Sequence, residues 1–487
     1  MPEPVGKRIC WVQHASEYPL FKSVAKELSD KGYQSFFVCK TRTAHKEYQE
    51  SRFVSLYATD EIFSGETVTP EEYARLEKTY GLELLDKAAL SDVHLLDLYP
   101  NDIKARKEVI ARSFKYWEDL LSKEKVDYFI LRESAMFLTR SAFYVAKQQG
   151  IPCGRLMYGP GDGLCLLSDV GELDIWSELD EAVKKGMSFL SSSQREEVEV
   201  FVASRLPKSD KKMIMRYVPE SIFASFKQYS GLWWHDTKQS FRYDPIYVAA
   251  LRFGRMRKEK QLLWNYVTRR LFKYADIDEK DQIVYFPTYS GLETSYLVHV
   301  PQWARREPEL IIKVARALPF GYTLYVKEHP HNPGDLNFSE LRLIAKEPNI
   351  KVVKPWVSSQ FLIEQSKLVV TIEGTAGWEA LLSKRPVLCI EDVAFYGRSS
   401  LIYKVTDISK LADIIKSALT EGMKLYENRL PEWYWFVYTV ITTAGRGNTL
   451  NFAPPYGFVT DKEEAEKVAV YIDQKITRVL AAVDRKA

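Results

Sequence analysis

The sequence predicts an α/β protein of two Rossmann-like domains facing each other across a cleft, with a helical, basic insertion between them. Three observations predict it. Short apolar runs of strand length alternate with helical patterns in both halves of the chain, the pattern of a parallel sheet with crossover helices. At 487 residues the chain is long for a single core and fits two to three domains. In the C-terminal half, two strand ends about forty-five residues apart each run into a turn rich in Pro or Gly, and in an open parallel sheet both would open into one crevice at the carboxyl edge.

The N-terminal domain is expected over residues 1–205. It opens with a βαβ unit: a strand over Arg8 to Val12, a helix from Leu20 to Lys31 closed by Gly32, and a strand over Gln34 to Val38. No GxGxxG follows the first strand, so a dinucleotide is not implied there. His14, at the end of that strand, is a candidate contact for an acceptor, with capping or packing as its ordinary alternative. Pro70 to Lys123 reads as helical, with Phe114, Trp117, Leu120 and Leu121 at a period near 3.6. Asp127 to Leu131 follows as a buried strand, Ala135 to Gln149 as a helix closed by Gly150, and Cys153 to Met157 as the next strand.

The ends of these strands carry the acidic candidates. Arg132-Glu133-Ser134 follows one and Tyr158-Gly-Pro-Gly-Asp-Gly163 another, so Glu133 and Asp162 are expected at the cleft. A carboxylate there can act as general base on an acceptor hydroxyl, or as nucleophile in a double displacement. The structural alternative is that Asp162 tolerates an αL turn and Glu133 pairs with an arginine.

Residues 206–278 change in character. Between Lys208 and Lys273 fifteen Lys and Arg stand against five Asp and Glu, leaving 53 against 60 for the rest of a chain whose net charge is only +3. Aromatics, Trp233 and Trp234 among them, interleave with Lys238 and Arg242, which suits sugar stacking or docking on a membrane surface. No RNA-binding motif accompanies them, so nucleic acid is not expected as a partner. Asp276-Ile-Asp278 has the form of a metal–nucleotide triplet but lies in an acidic linker and reads as hinge surface; no metal site is expected.

The C-terminal domain is expected over residues 279–458, with strands at Gln282 to Phe286, Tyr322 to Val326 and Val387 to Ile390. Its chemistry lies in Lys327-Glu-His-Pro-His-Asn-Pro-Gly334 and Thr371-Ile-Glu-Gly-Thr-Ala-Gly-Trp-Glu-Ala380. Gly374, Ala376 and Gly377 carry little or no side chain, so amides opening the helix Ala376 to Ser383 can approach a phosphate with the positive end of the helix dipole. Lys327 and His329 add donors, and Glu379, one turn inside the helix, can accept from ribose hydroxyls. Each residue alone has a structural explanation: Thr375 as an N-cap, glycines as turn formers, His-Pro as a strand end. Their joint spacing favours a nucleotide site. Residues 459–487 hold an amphipathic helix, Glu463 to Val483.

Tyr285-Phe-Pro287, Glu293-Thr-Ser295, Leu318-Pro319, Tyr325-Val-Lys-Glu-His-Pro330, Pro348-Asn-Ile350, Thr375-Ala-Gly-Trp-Glu-Ala-Leu381, Lys384-Arg-Pro386 and Phe395-Tyr396 occur in consistent order over about 120 residues. This stretch resembles the C-terminal half of the capsular polysaccharide biosynthesis family, which includes transferases that add Kdo from CMP-Kdo. The resemblance implies a GT-B glycosyltransferase whose second domain holds the nucleotide sugar, with Lys327, His329, Pro330, Gly374, Thr375, Ala376 and Glu379 lining the pocket and Glu293 facing it. It also implies a last helix packed back across the first domain. The chain departs from the family at Tyr289-Ser-Gly-Leu-Glu293, where members often place a His and a Gln.

The expected activity is therefore metal-independent transfer of a sugar, Kdo or a related acidic sugar from a CMP donor, onto a surface or capsular glycan. Asp162, Glu133 and His329 are the catalytic candidates, and His14, Trp233 and Trp234 the acceptor-binding ones. The donor is a co-substrate and no cofactor is expected; the partners are the nucleotide sugar and a glycan or glycolipid acceptor. A nucleotide-sugar epimerase, a polyol-phosphate transferase on the same fold, and a non-catalytic glycan-binding protein are the alternatives. Five cysteines without CxxC spacing, no apolar leader and no run of eighteen or so apolar residues point to a cytoplasmic protein, attached at most to the inner face of the membrane.

Overall fold

The structure, a computed structural model, describes residues 6–13, 19–81, 92–131, 136–170, 174–206, 271–289, 306–329, 336–372, 374–391, 394–451, 457–458 and 461–484. Two compact units divide the chain: one gathers the described residues up to Ser177 and those from Thr442 on, the other those between Glu178 and Ile441. Each is α/β and built on a parallel sheet, the class that the strand and helix alternation predicts.

In the first unit β1 (Arg8–Gln13), β2 (Gln34–Cys39), β3 (Val54–Tyr57), β4 (Tyr128–Leu131) and β5 (Cys153–Tyr158) pair in parallel in the order β5-β4-β1-β2-β3. Alternation along β1 sends Cys10 and Val12 to one apolar cluster and Ile9 and Trp11 to the other, so both faces of the sheet are covered. After β5 the chain turns back instead of entering a helix. Gly163 at φ 73° makes the turn, and β6 (Leu164–Val170) runs antiparallel to β5, followed by β7 (Asp174–Ile175) against β6. The stretch expected as one helical run from Pro70 to Lys123 holds Pro70–Tyr80, Val93–Leu98 and Ile103–Lys123. Its breaks fall at Gly81, at φ 96°, and at Asp102, whose carboxylate accepts from Ala105 N at 2.9 Å as an N-cap.

The second unit carries six parallel strands in the order β10-β9-β8-β11-β12-β13: β8 (Gln282–Pro287), β9 (Tyr322–Lys327), β10 (Ile350–Val353), β11 (Leu368–Thr371), β12 (Val387–Ile390) and β13 (Ile402–Val405). One register row reads Lys351, Tyr325, Tyr285, Val369, Val387, Ile402 across the sheet. On one face Val284, Phe286, Leu324, Val326 and Val370 pack with the helices Glu307–Ala317 and Leu411–Asn428. On the opposite face lie Tyr285 and Tyr325.

The chain crosses between units at 177/178 and 441/442, where sequence placed the boundaries at 205/206 and 458/459. The helix Ser192–Arg205 belongs to the second unit, held by Tyr434 OH to Glu199 Oε1 at 2.6 Å and Gln194 Nε2 to Tyr438 OH at 3.1 Å. At the other end β14 (Gly445–Arg446) adds to β6, and the helix Lys462–Asp484 seals the Trp11 face of the first unit through Ala465, Val468, Ile472 and Ile476. Tyr33 OH donates to Asp473 Oδ1 at 2.8 Å across that contact. These pairings span more than two hundred residues, so no local pattern announces them.

Candidate functional site

The carboxyl edge of the second sheet brings the two sequence motifs together through the strand between them. β8 lies between β9 and β11, and its pairing with β9 continues past the strand ends: Thr288 N donates to Lys327 O at 2.9 Å, and His329 N to Thr288 Oγ1 at 3.2 Å. The next residue, Tyr289, donates its amide to Glu307 Oε1 at 2.6 Å and is 8% exposed. Its hydroxyl lies 3.2 Å from where a Cβ on Gly374 would stand. The Lys-Glu-His corner and the Gly-Thr-Ala-Gly corner are thus neighbours, and Tyr289 occupies part of the space between them.

The second corner opens the helix Thr375–Leu382. Its N-cap is Gly374, which has no side chain with which to cap it; Thr375, read from sequence as a possible cap, is the first helical residue and is exposed. The backbone is held from behind, with Gly374 N donating to Thr371 Oγ1 at 3.3 Å and Tyr396 OH to Gly374 O at 2.8 Å. Gly377 faces Tyr396 closely: a Cβ there would come within 2.3 Å of the hydroxyl oxygen. A helix start without a capping side chain leaves its first amides for an anion.

Beneath these corners lies a group of buried charges. Lys327 is 2% exposed, its Nζ 3.4 Å from Pro355 O, and burial pushes its ammonium down to about 8, against the pull of Glu379 and Glu328. Glu379 is half-buried, and burial raises its carboxyl against the influence of Arg205 and Lys327. Burial also raises the Tyr285 phenol, to which the Glu379 charge contributes. Glu379 has two cations and a phenol around it, yet its carboxylate makes no hydrogen bond or ion pair among the described residues, and Arg205 Nε is buried without a partner. A carboxylate placed there can accept from hydroxyls of a bound molecule.

The sequence candidates therefore separate by exposure. Thr375 is exposed, Gly374, His329 and Glu379 are half-buried, and Ala376 and Lys327 are buried. Lys327, expected as a donor to phosphate, is 2% exposed, with its Nζ 3.4 Å from Pro355 O. Asp162 is exposed in the turn after β5, at the carboxyl edge of the first sheet. His14, Glu133, Trp233, Trp234, Glu293 and Pro330 lie outside the described residues, as does most of the basic insertion. Sequence reasoning did not select Thr288 or Arg205, and Tyr285 stood inside the quoted motif Tyr285-Phe-Pro287 without an assigned role. Tyr289 and Tyr396 stood inside quoted motifs without an assigned role. Among the described residues no group of three His, Cys, Asp or Glu could hold a metal ion, and no helix is long and apolar enough to cross a membrane.

The second α/β unit thus carries, at its sheet edge, a helix that starts at Gly374 without a capping side chain and a half-buried carboxylate, Glu379, one turn inside it. Residues 303–427, all in the second unit, match the family described as capsule polysaccharide biosynthesis protein, the family that the sequence around Lys327 and Gly374 resembles. No curated protein matches the chain. Among solved structures, the β-Kdo 2,7 transferase KpsC of Thermosulfurimonas dismutans is 13% identical, with 62% of this chain and 80% of that one covered and a TM-score of 0.33. UDP-GlcNAc 2-epimerase from Neisseria meningitidis, bound to UDP-GlcNAc, is 13% identical over 96% of this chain and 100% of that one, with a TM-score of 0.29. A glycosyltransferase from Rickettsia africae is 12% identical over 97% and 99%, with a TM-score of 0.31.

Proposed function

We propose that this protein is a glycosyltransferase of capsule or surface-polysaccharide synthesis that uses a nucleotide sugar, with Kdo or a related acidic sugar on CMP as the donor. The observation that carries the reading is Glu379: a half-buried carboxylate without a hydrogen-bond donor among the described residues, one turn inside a helix that begins uncapped at Gly374. A nucleotide meets both needs, its phosphate at the helix start and its ribose hydroxyls at the carboxylate. The match of residues 303–427 to the capsule polysaccharide biosynthesis family supports the same class.

Chemically, the phosphate is the leaving group. Helix amides at Thr375 and Ala376, with His329 beside them, stabilise the charge that grows on it as the glycosidic bond breaks, the kind of preorganised electrostatic assistance that often dominates catalysis. Lys327 acts from below by holding a positive charge near Glu379 and fixing the Pro355 carbonyl. On the acceptor side we assign Asp162 the carboxylate that activates the incoming hydroxyl or forms the covalent intermediate.

The test is a calorimetric and thermal-shift screen with CMP, UDP and GDP, followed by product analysis with labelled CMP-Kdo. A nucleotide at a hundred times its dissociation constant raises stability by about 2.7 kcal/mol. Binding of none of the three would overturn the reading. Conversion of the sugar without transfer would identify an epimerase.

A further inference from the structure

The helix start at Gly374 is held by a side chain from the segment after β12. Tyr396 lies in a single helical turn, Phe395–Arg398, and its hydroxyl donates to Gly374 O at 2.8 Å. The first two residues of that turn clasp it to the helix Thr375–Leu382. The Phe395 ring meets Trp378 edge-on at 5.1 Å, and Tyr396 fills the space that a side chain on Gly377 would need. Its last residue, Arg398, reaches a different partner.

Arg398 Nη1 donates to Ala394 O, just before the turn, at 3.2 Å, and Nε donates to Asp180 Oδ1 at 3.0 Å. Asp180 comes from the first turn of the helix Ser177–Lys185, well before residues 303–427 that match the capsule family. One guanidinium thus closes the turn on itself and anchors it to a second helix. The Arg398 and Asp180 side chains are 20% and 27% exposed, and an ion pair so open to water adds little to stability. What the planar fork of an arginine does fix is direction. The contacts run without a gap from Asp180 to Arg398, along the turn to Tyr396, and by one hydrogen bond to the carbonyl of the residue that starts the helix.

We propose that Asp180 and Arg398 are positioning residues for phosphate binding: their ion pair sets the turn Phe395–Arg398, and Tyr396 passes that setting to the helix start at Gly374. This rests on the nucleotide reading above. In this role neither residue touches the ligand. The pair strengthens the grip of the helix start on the phosphate and leaves the hold on the nucleoside unchanged.

The experiment is calorimetry of the full chain with whichever of CMP, UDP and GDP binds and with the matching nucleoside, the latter read by displacement, for wild type, Asp180→Ala, Arg398→Met, Tyr396→Phe and the double variant R398M/Y396F. The ratio of nucleotide to nucleoside affinity reports on the phosphate alone. It should fall about threefold to tenfold in each single variant, the worth of one ordinary hydrogen bond, while the melting temperatures of D180A and R398M stay close to wild type. It should fall no further in the double variant than in Y396F, because Arg398 acts through Tyr396. An unchanged ratio in either D180A or R398M overturns the proposal. So does an equal loss for both ligands, which marks a merely structural role, and so do losses that add in the double variant, which separate Arg398 from Tyr396. Should R398M not fold, D180A and D180A/Y396F decide by the same criteria. Failure of all three nucleotides to bind wild type is a distinct result and removes the underlying reading.

Discussion

The Tyr289 hydroxyl lies 3.2 Å from the position that a Cβ on Gly374 would occupy, and the Thr371 Oγ1 stands at the same distance. The two corners of the candidate site are therefore coupled through a side chain that belongs to neither. Gly374→Ala needs its neighbours to yield by a few tenths of an ångström. It should cost about 1 kcal/mol of stability, part of which Tyr289→Phe should restore by removing the crowding oxygen. Chemical denaturation of the two single variants and the double variant gives the coupling; strict additivity would separate Tyr289 from the glycine turn.

Gly377 presents a stricter case. An added Cβ would meet Tyr396 at the hydroxyl oxygen, at Cζ at 2.6 Å and at Cε2 at 2.7 Å, so the whole ring must move and the bond from Tyr396 OH to Gly374 O is lost. Gly377→Ala should destabilise the protein by about 1–3 kcal/mol. Tyr396→Phe in the same background should give no rescue, because ring carbons remain in the way. Melting temperatures of the pair check both statements.

Lys327 gives a pH dependence with a definite sign. Its folded value of about 8 lies below the 10.5 of an exposed lysine, so between these values the unfolded chain binds more protons than the native one. Stability from this group therefore rises as pH increases from 8 to 10.5, and the charged ammonium is a cost to the native state at neutral pH. Lys327→Met should be at least as stable as wild type at pH 7, by on the order of 2–3 kcal/mol, with the difference shrinking toward pH 10. Urea denaturation at the two pH values tests this. If the ammonium also helps hold a phosphate, nucleotide affinity in wild type should fall as pH rises above 8 and lose that dependence in the variant.

Two substitutions address turnover. His329→Ala keeps the backbone bond to Thr288 Oγ1 and removes only the imidazole, so a fall in kcat of about 10²-fold with little change in stability is expected. Asp162→Asn alters an exposed turn residue and should fold normally while losing about 10³-fold or more in transfer rate. Steady-state assays with CMP-Kdo and a glycan acceptor, beside circular dichroism of each variant, separate lost chemistry from lost structure. Full activity in either would withdraw its assignment.

How far the sequence was readable follows the reach of each interaction. The strand over Tyr322 to Lys327 and the helix after Gly374 announce themselves because apolar alternation and small residues act over a few positions. The helix start was misplaced by one residue because Thr375 is a good cap in isolation, while in the fold the bond from Gly374 N to Thr371 Oγ1 moves the cap back to the glycine. Lys327 is buried where the chain beyond β10 brings the Pro355 carbonyl to 3.4 Å from its Nζ, and a basic residue at a strand end gives no sign of that. The place of the helix Ser192–Arg205 was beyond reach altogether: its fourteen residues are mostly polar, and only the tertiary contacts of Glu199 with Tyr434 and of Gln194 with Tyr438 join it to the second unit. The boundaries at 177 and 441 were hidden for the same reason.

The closing of the Trp11 face by Lys462–Asp484 sets a timetable for the chain during synthesis. Tyr33 and Asp473 are 440 positions apart, so at roughly 5–20 residues per second the N-terminal sheet waits about 15–60 s after Ser177 emerges before its covering helix arrives. The six strands of the second sheet are made in the interval and are all present beforehand. Newborn chains should therefore carry one finished sheet and one with an oily, uncovered side, a state in which a ribosome-associated chaperone would find its substrate.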